Sequence, residues 1–298
     1  MTSQRRMLRR FDRTPIPMKA TDVVCPHFML LAWANGCMYN CSWCYLKGTF
    51  RFYGQKPNGR VPIIIKDRAR IEKEVRTFLK KDLLPELINT GELSDSLLDE
   101  TRAIPFSKWI MRLFKGTGHK ILFLTKSTNI HNFLINNWQD NAILAWSVNA
   151  VPVAERWEKL ASTVAERVNA ARQVSEAGYE VRLRIDPMVP VENWKTCYSE
   201  LVDLICRTLK PSRVTLGCLR GLNSTIAFCK DKSWIKYLTE ESNWGKKPSF
   251  QQRLDLYKLV LKVLRDRGFR DVGICKDTLA IWQALIMNNN KNLCNCVW

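Results

Sequence analysis

Apolar strand-like runs alternate with amphipathic helix-like segments along most of this chain. Six such units are predicted between residues 27 and 221, and most of their strands are nearly continuous apolar runs. Strands of that kind are buried on both faces, as in a parallel sheet covered by helices. The sequence therefore predicts an α/β fold, a partial (β/α)6 barrel similar to a TIM barrel. In such barrels the chemistry lies at the C-terminal ends of the strands.

The predicted elements divide the chain into three parts. The predicted strands cover residues 27–35, 85–95, 119–127, 141–150, 180–188 and 212–221. The predicted helices between them cover residues 67–81, 105–116, 129–138, 164–178 and 194–209. After residue 221 only a helix at 251–268 and a short strand at 270–276 are indicated, before an irregular tail. We therefore expect a basic N-terminal arm (1–24), a barrel core (25–222) and a C-terminal extension (223–298).

The charge balance favours a polyanionic partner. The chain has 47 Lys and Arg against 28 Asp and Glu, a formal net charge of +19. Such an excess repels itself in a compact fold, and nucleic acid is the commonest partner that offsets it. The extension adds candidate nucleic-acid contacts, basic for phosphate and aromatic for stacking: Lys230, Lys232, Trp234, Lys236, Lys246 and Lys247. The alternatives are that the basic charge is incidental and that the extension is a solvated surface whose Trp packs in the core.

The composition also indicates a compartment. No run of about 18 apolar residues is present, so no membrane span is expected. The Arg-rich N-terminus lacks the apolar stretch of a secretory signal. The chain has 11 Cys, an odd number, spread through strand-like and helix-like segments. That usage is typical of a reducing compartment, so we expect a cytoplasmic protein.

Three cysteines occupy eight positions in the stretch GCMYNCSWCYL, at Cys37, Cys41 and Cys44. Three thiolates do not close a tetrahedral zinc site, so zinc would need a fourth ligand such as Cys25 or His27. An ordinary electron-transfer [4Fe–4S] cluster also uses four cysteines. Three thiolates on such a cluster leave one iron free to bind a chelating cosubstrate.

The spacing C-x3-C-x2-C, with Trp43 before the last cysteine, resembles the signature of the radical S-adenosylmethionine (SAM) enzymes. The resemblance implies that Cys37, Cys41 and Cys44 hold a catalytic [4Fe–4S] cluster and that SAM chelates the free iron. An electron from a donor such as flavodoxin or ferredoxin would then yield methionine and a 5′-deoxyadenosyl radical. Trp43 would lie near the adenine of SAM.

Four motifs in the same order resemble spore photoproduct lyase and its relatives, which repair or alter thymine in DNA. They are GCMYNCSWCYL, FLTKS (123–127), WSVNA (146–150) and ERVNAARQVSEAGYEVRLRIDPM (166–188). The resemblance implies that Ser94, Lys126 and Ser147 contact SAM at the strand ends and that Glu92 receives its ammonium group. It also implies that Tyr45 and Asn149 line the same mouth. The alternatives are that Lys126 is only a surface cation, that Glu92 is a solvated loop carboxylate, and that Ser147 and Asn149 make ordinary strand-end hydrogen bonds.

One departure from that family concerns a hydrogen-donating thiol. The repair lyase keeps a cysteine just after the second strand, where this chain reads NTGELSD. No cysteine occurs between Cys44 and Cys197. Cys218 and Cys275, near predicted strand ends, are the candidate replacements, although buried Cys is often only a small apolar residue. Cys294 and Cys296 form a lone C-x-C whose role the sequence does not indicate.

Without such a donor, the simplest closed reaction is a rearrangement in which 5′-deoxyadenosine returns the hydrogen atom. The chain is similar to the radical SAM enzymes that bacterial viruses with hypermodified thymine encode, which would place it in the host cytoplasm. The expected substrate is a thymine-type base flipped out of DNA. The alternatives are photoproduct repair, a peptide or small-metabolite substrate, and a zinc- or cluster-bearing binding module. The sequence leaves the oligomeric state open.

Overall fold

The computed structural model of the protein describes residues 6–11, 14, 16–54, 59–81, 84–287 and 290–298. Residues 1–5, 12, 13 and 15 of the predicted N-terminal arm lie outside them. The strands are β1 (Leu8–Phe11), β2 (Phe28–Leu31), β3 (Ala34–Asn35), β4 (Asn40–Cys41), β5 (Ile64–Ile65), β6 (Leu87–Asn89), β7 (Lys120–Thr125), β8 (Ala142–Val148), β9 (Glu158–Lys159), β10 (Glu180–Met188), β11 (Arg213–Cys218) and β12 (Val272–Ile274).

The helices include several single turns. They are α1 (Leu46–Thr49), α2 (Arg68–Leu79), α3 (Phe106–Phe114), α4 (His131–Leu134), α5 (Val151–Trp157), α6 (Val164–Glu176), α7 (Trp194–Thr208), α8 (Asn223–Phe228), α9 (Phe250–Asp266) and α10 (Leu279–Ala284). Short 3-10 helices cover Arg51–Tyr53, Ile235–Tyr237 and Asn290–Leu293.

Eight of these strands form one sheet, in the order β1-β2-β6-β7-β8-β10-β11-β12. The strands from β2 to β12 in that order pair in parallel, whereas β1 pairs with β2 antiparallel. The predicted α/β partial barrel is therefore confirmed. Within the predicted N-terminal arm, Leu8–Phe11 form the edge strand β1.

The two faces of the sheet differ in chemistry. In β10, Val181, Leu183 and Ile185 belong to the large apolar core beneath the helices. Arg182 and Arg184 alternate with them and so point to the opposite face, the inside of the curved sheet. The inner face thus carries buried charge, which places polar chemistry inside the barrel.

The C-terminal tail occupies part of this interior. Cys294 and Cys296 pack with Phe28 and Leu30 of β2 in a small apolar cluster. Asn295 between them is fully buried and hydrogen-bonds to β11 and β10. The tail that the sequence indicated as irregular is therefore a part of the barrel interior.

Local sequence signals account for the well-predicted helices. Thr163 and Glu166 form a reciprocal capping box at the start of α6, and Ser249 and Gln252 do so at α9. The helix predicted for residues 129–138 shrinks to the single turn α4. Its Asn side chains bind elsewhere, as when Asn132 donates to Glu100 at 2.7 Å, and such bonds compete with helix formation.

Among the described residues, no helix combines the length and apolar character that a bilayer crossing requires.

Candidate active site

The three-cysteine loop follows β2 at the C-terminal edge of the parallel sheet. Cys41 lies in β4, where it pairs with Glu158 of β9, and the Cys44 amide donates to the Cys41 carbonyl at 3.2 Å. Cys37 interacts electrostatically with both Cys41 and Cys44. All three are free thiols in one loop that is held to the barrel by the β4–β9 pair.

The three thiols are partly buried. Burial raises the pKa of Cys41 to about 12, against the opposing charge of Lys126. Burial also raises the pKa of Cys37 and of Cys44. The metal-free thiols are therefore protonated at neutral pH, and loading a cluster would release their protons.

The candidates for a fourth zinc ligand do not join this loop. Cys25 lies instead near Lys276, Cys275, Cys296 and Glu92. The His27 ring lies 3.0 Å from the Thr14 carbonyl. Within the described residues, no three His, Cys, Asp or Glu side chains are arranged to hold a single metal ion. The geometry therefore does not support the zinc alternative.

Lys126 links the cysteine loop to the neighbouring strand ends. Its Nζ donates to Ser147 Oγ at 2.7 Å and lies 3.5 Å from Glu158 Oε1. Glu158 in turn forms a fully buried ion pair with Arg167 at 2.7 Å. The structure thus brings Lys126 and Ser147 together as the sequence indicated, next to Cys41.

A second set of contacts surrounds Asp95, which the sequence analysis did not single out. Its carboxylate accepts bonds from Thr125 Oγ1 at 2.7 Å and from the Lys126 and Leu97 amides at 2.8 and 2.9 Å. Burial raises its pKa despite these bonds. Asp95 therefore fixes the strand ends around Ser94 and Lys126.

Ser94 provides the test of whether a bound group fits here. Its hydroxyl is buried and has no hydrogen-bond partner among the residues that the structure describes. Buried polar atoms normally have one, so an orphan hydroxyl at the predicted SAM contact suits a bound polar ligand. The three free thiols and this orphan together fit a cluster and its chelating cosubstrate.

Tyr45 and Glu92 close the mouth beside Cys44. The Tyr45 hydroxyl donates to the Glu92 carbonyl, and the Glu92 carboxylate lies 3.9 Å from Lys276 Nζ. Lys276 also lies over the rings of Phe11 and Trp244, at 4.6 and 4.7 Å. The alternative of a solvated loop carboxylate therefore does not describe Glu92, which has a cationic partner.

A buried carboxylate and two guanidinium groups line the inner face between β10 and β11. Arg220 binds both Asp186 oxygens, at 3.0 and 2.8 Å, and Arg184 lies 3.7 Å from Asp186. Burial acts to raise the pKa of Asp186, but the two guanidinium groups outweigh it and lower that pKa. Sequence reasoning missed Asp186 and Arg220, although Asp186 lies within the quoted RIDPM stretch.

Two predicted cofactor contacts lie deeper than expected. Asn149 is fully buried, and its amide binds the Pro187 carbonyl, the Ala150 amide and the Tyr198 hydroxyl. It is a strand-end hydrogen bonder, so its placement at the mouth is corrected. Trp43 packs against Trp157 in the large core, with ring centroids 5.5 Å apart. Its contact with adenine stays a prediction.

Two of the predicted nucleic-acid contacts are also corrected. Trp234 is fully buried and donates to the Asp231 carbonyl at 2.8 Å, so its ring cannot stack on a base in this structure. Lys247 is buried and donates to the Lys276 carbonyl at 2.7 Å. Both residues were chosen from composition, which does not distinguish an inward from an outward side chain.

The other predicted nucleic-acid contacts lie at the surface. Lys230, Lys232 and Lys236 are exposed, and Lys246 is partly exposed beside Glu241. The same extension supports the cysteine loop, because Ser42 donates to Asp231 at 2.8 Å. Basic surface and cysteine loop are therefore physically connected.

The two candidate donor thiols face opposite sides of the sheet. Cys218 lies in the core under the helices, where its amide donates to the Tyr257 hydroxyl of α9 at 3.1 Å. Cys218 is therefore a small buried residue of the core, as in the alternative to a hydrogen-donating role. Cys275 points to the interior, where Arg184 and Arg220 lie 3.8 and 4.0 Å from its sulfur.

A partial parallel barrel with three free cysteines at its C-terminal edge, next to a Lys–Ser pair and an orphan hydroxyl, defines the class as radical SAM. The comparisons with known proteins give the family. The spore photoproduct lyase family model matches residues 27–217, and the chain belongs to that family. Its members use a [4Fe–4S] cluster and SAM.

Individual relatives are distant. A spore photoproduct lyase of Clostridium acetobutylicum is 24% identical over 168 residues, covering 56% of this chain and 48% of its own length. One of Geobacillus sp. is 27% identical over 185 residues, covering 59% and 50%. The chain thus spans about half the length of these curated relatives.

A solved spore photoproduct lyase mutant, with bound AdoMet and dinucleoside spore photoproduct, has a similar fold. The two structures align with a TM-score of 0.68 and 18% sequence identity. The alignment covers 83% of this chain and 75% of the lyase chain.

Proposed function

We propose that this chain is a radical SAM enzyme that acts on a thymine-type base in DNA, most simply by rearranging or modifying a hypermodified thymidine. The observation that carries the proposal is the convergence of Cys37, Cys41 and Cys44 with Lys126 and Ser147 at one edge of the barrel. Cys37, Cys41 and Cys44 would hold the cluster, which together with SAM would supply a 5′-deoxyadenosyl radical.

The chain's own residues bind and orient the cosubstrate. Ser94 offers an unpaired hydroxyl, and the Lys126–Ser147 pair offers a cation and a hydroxyl beside it. Glu92 offers a carboxylate that can receive the SAM ammonium. Lys126, Arg184 and Arg220 make the mouth cationic, which suits carboxylate and phosphate groups.

The substrate assignment follows from charge and family. A net charge of +19 and the exposed Lys230, Lys232 and Lys236 suit a phosphate backbone. A base in a duplex cannot reach a barrel interior without leaving the stack, so base flipping is expected. The solved relative that holds a dinucleoside photoproduct supports a thymine-derived substrate in this family. A small reduced flavodoxin or ferredoxin in the cytoplasm would supply electrons.

Mass spectrometry of nucleosides tests this function directly. DNA of the source organism or virus is digested with an intact gene, without it, and with a Cys41→Ala copy. We expect an unusual thymidine that requires the intact gene and disappears in Cys41→Ala. Nucleosides that are identical in all three samples would contradict a DNA-base substrate.

A second candidate is the photoproduct repair lyase of the family itself. This candidate is supported by the interior thiols Cys275, Cys294 and Cys296, because one of them could replace the cysteine that is missing after β6. Incubation with dinucleoside spore photoproduct separates the two: release of two thymidines indicates the lyase. A peptide or metabolite substrate is the third candidate, and binding to DNA that is insensitive to salt would favour it.

A further inference from the structure

Glu158 is a buried acidic residue directly beside the cysteine loop. Its backbone pairs with that of Cys41 in the β4–β9 ladder, and the Ser42 amide donates to the neighbouring Trp157 carbonyl at 2.8 Å. The exposed fraction of the Glu158 side chain is 0%. Water and salt screen a buried charge much less than an exposed one. The Glu158 carboxylate therefore acts on the cysteine loop at close range and through a medium of low dielectric.

Two cations face the Glu158 carboxylate. Arg167 Nη1 donates to Oε2 at 2.7 Å, and Lys126 Nζ lies 3.5 Å from Oε1. Arg167 is itself held in place, because its Nη1 and Nε donate to the Ser147 and Ser162 carbonyls, both at 2.8 Å. The three charged groups thus have fixed positions relative to the loop.

The stability of the fold does not by itself explain this arrangement. Glu158 Oε1 is buried and has no hydrogen-bond donor among the described residues. Buried polar atoms normally have such a partner, and a buried ion pair is weak evidence for stability because desolvation offsets its attraction. The charge of Glu158 is better explained by the groups that it faces, which are Lys126 and the cysteine loop.

The field of these charges reaches the sulfur of Cys41. Burial is the largest cause of the raised pKa of Cys41, while Lys126 lowers this pKa, Glu158 raises it and Arg167 lowers it. Lys126 also opposes the burial that raises the pKa of Cys44. The same three charges would act on a cluster held by these sulfurs. Its net charge becomes more negative by one on reduction, and nearby charge is one of the factors that set the potential of such clusters.

Resting on the proposed function, we propose that Glu158 is a positioning residue whose carboxylate lowers the reduction potential of the cluster in the cysteine loop, and that Lys126 opposes this effect. One electron enters from a reduced flavodoxin or ferredoxin, and the negative charge of Glu158 makes it less favourable to hold. The same electron passes to the sulfonium of SAM with a greater driving force. There it breaks the bond between sulfur and the 5′ carbon, which yields methionine and the 5′-deoxyadenosyl radical.

A redox titration tests the proposal without DNA or SAM. The full chain is reconstituted anaerobically, and electron paramagnetic resonance follows the reduced fraction as the potential is lowered. Glu158→Gln removes the negative charge at nearly constant shape, so its midpoint potential should be more positive than that of the wild type. Lys126→Gln should shift the midpoint in the opposite direction. Glu155→Gln, the same change at an exposed position of α5, is the matched control and should keep the wild-type midpoint.

The direction of the two shifts decides the outcome. A Glu158→Gln midpoint equal to the wild-type value, or more negative, would overturn the proposal, and weaker SAM binding in that variant would then leave Glu158 only the role of holding Lys126. Shifts of the same sign in both variants would also overturn it, because a loosened loop and not a charge would cause them.

A second variant covers the case in which Glu158→Gln does not fold. Lys126 is less buried, and Lys126→Gln then decides alone: a more negative midpoint supports the proposal, and an equal or more positive one overturns it. A wild-type protein that binds no reducible cluster contradicts the proposed function itself, and the role of Glu158 with it.

Discussion

Asp186 shows what a charged residue needs in order to stay ionised inside this barrel. Its carboxylate is buried, yet Arg220 and Arg184 lower its pKa below the ordinary value. Space for it comes from Gly217, where an added Cβ would lie 2.6 Å from Asp186 Oδ1. The inner face of β10 and β11 therefore depends on one carboxylate with two cationic neighbours.

The variant Asp186→Asn should destabilise the protein by about 3 kcal/mol at pH 7, because it removes the buried anion that pairs with the partly buried Arg220. Because the folded-state pKa is lowered, the ion pair stabilises fully above the unfolded value of about 3.9, and this stabilisation disappears as the pH falls through the folded-state pKa. Urea denaturation from pH 7 to pH 3 should show the wild-type advantage shrinking below about pH 4. Glu176→Gln, exposed on α6, is the control. Equal stability of Asp186→Asn and wild type at pH 7 would contradict this role.

The Lys126–Ser147 pair carries the residue-scale prediction for the cosubstrate. Lys126→Gln should weaken SAM binding about tenfold or more, since a charge-assisted hydrogen bond contributes about 1.5–3 kcal/mol. Calorimetric titration of the reconstituted protein measures this, with iron content as the check on cluster loading. Lys159→Gln, exposed on the neighbouring β9, should bind SAM like the wild type. Unchanged affinity in Lys126→Gln would remove Lys126 from the site.

At the scale of elements, the C-terminal tail is the feature that sequence patterns did not reveal. Helices α6 and α9 were predictable because capping boxes and apolar periodicity are local signals. The tail's position depends instead on contacts with β2, β10 and β11, which lie far away along the chain. For the same reason, the sequence placed Cys294 and Cys296 in no site.

Gly273 in β12 tests how closely the tail packs. A Cβ at Gly273 would lie 2.5 Å from the Leu293 carbonyl oxygen, a backbone atom that must move. Gly273→Ala should therefore destabilise the protein by about 1–3 kcal/mol and displace the tail. Gly118→Ala is the matched control, because its Cβ would meet only Pro85 at 3.6 Å. Thermal unfolding measures both, and equal melting temperatures would show that the tail is not fixed against β12.

At the scale of the whole molecule, the sequence predicted the barrel and the cysteine loop but only part of the basic surface. The alternation of strands and helices and the C-x3-C-x2-C spacing are properties of short segments, so they can be read without knowing the tertiary packing. Trp234 and Lys247 failed as surface residues because their orientation is decided by the packing around them. Lys230, Lys232 and Lys236 remain as the exposed candidates for contact with phosphate.

Replacing Lys230, Lys232 and Lys236 together by Glu should weaken DNA binding and flatten its dependence on salt. For duplex DNA, the slope of log K against log salt falls by about 0.9 for every phosphate that the variant no longer neutralises. Fluorescence anisotropy over a range of salt concentrations gives this slope. The matched control replaces the exposed Lys73, Lys80 and Lys81, on α2 and directly after it, by Glu. Equal slopes for the two triple variants would show that the extension is not the DNA-contacting surface.

We propose that Cys37, Cys41 and Cys44 hold an iron–sulfur cluster whose fourth iron is open to SAM. Electron paramagnetic resonance of the anaerobically reconstituted, dithionite-reduced protein tests it most directly, with and without SAM. We expect a [4Fe–4S] signal whose g-values change when SAM is added, and no such signal in Cys41→Ala. A spectrum that SAM leaves unchanged, or a protein that takes up zinc and no iron, would contradict it.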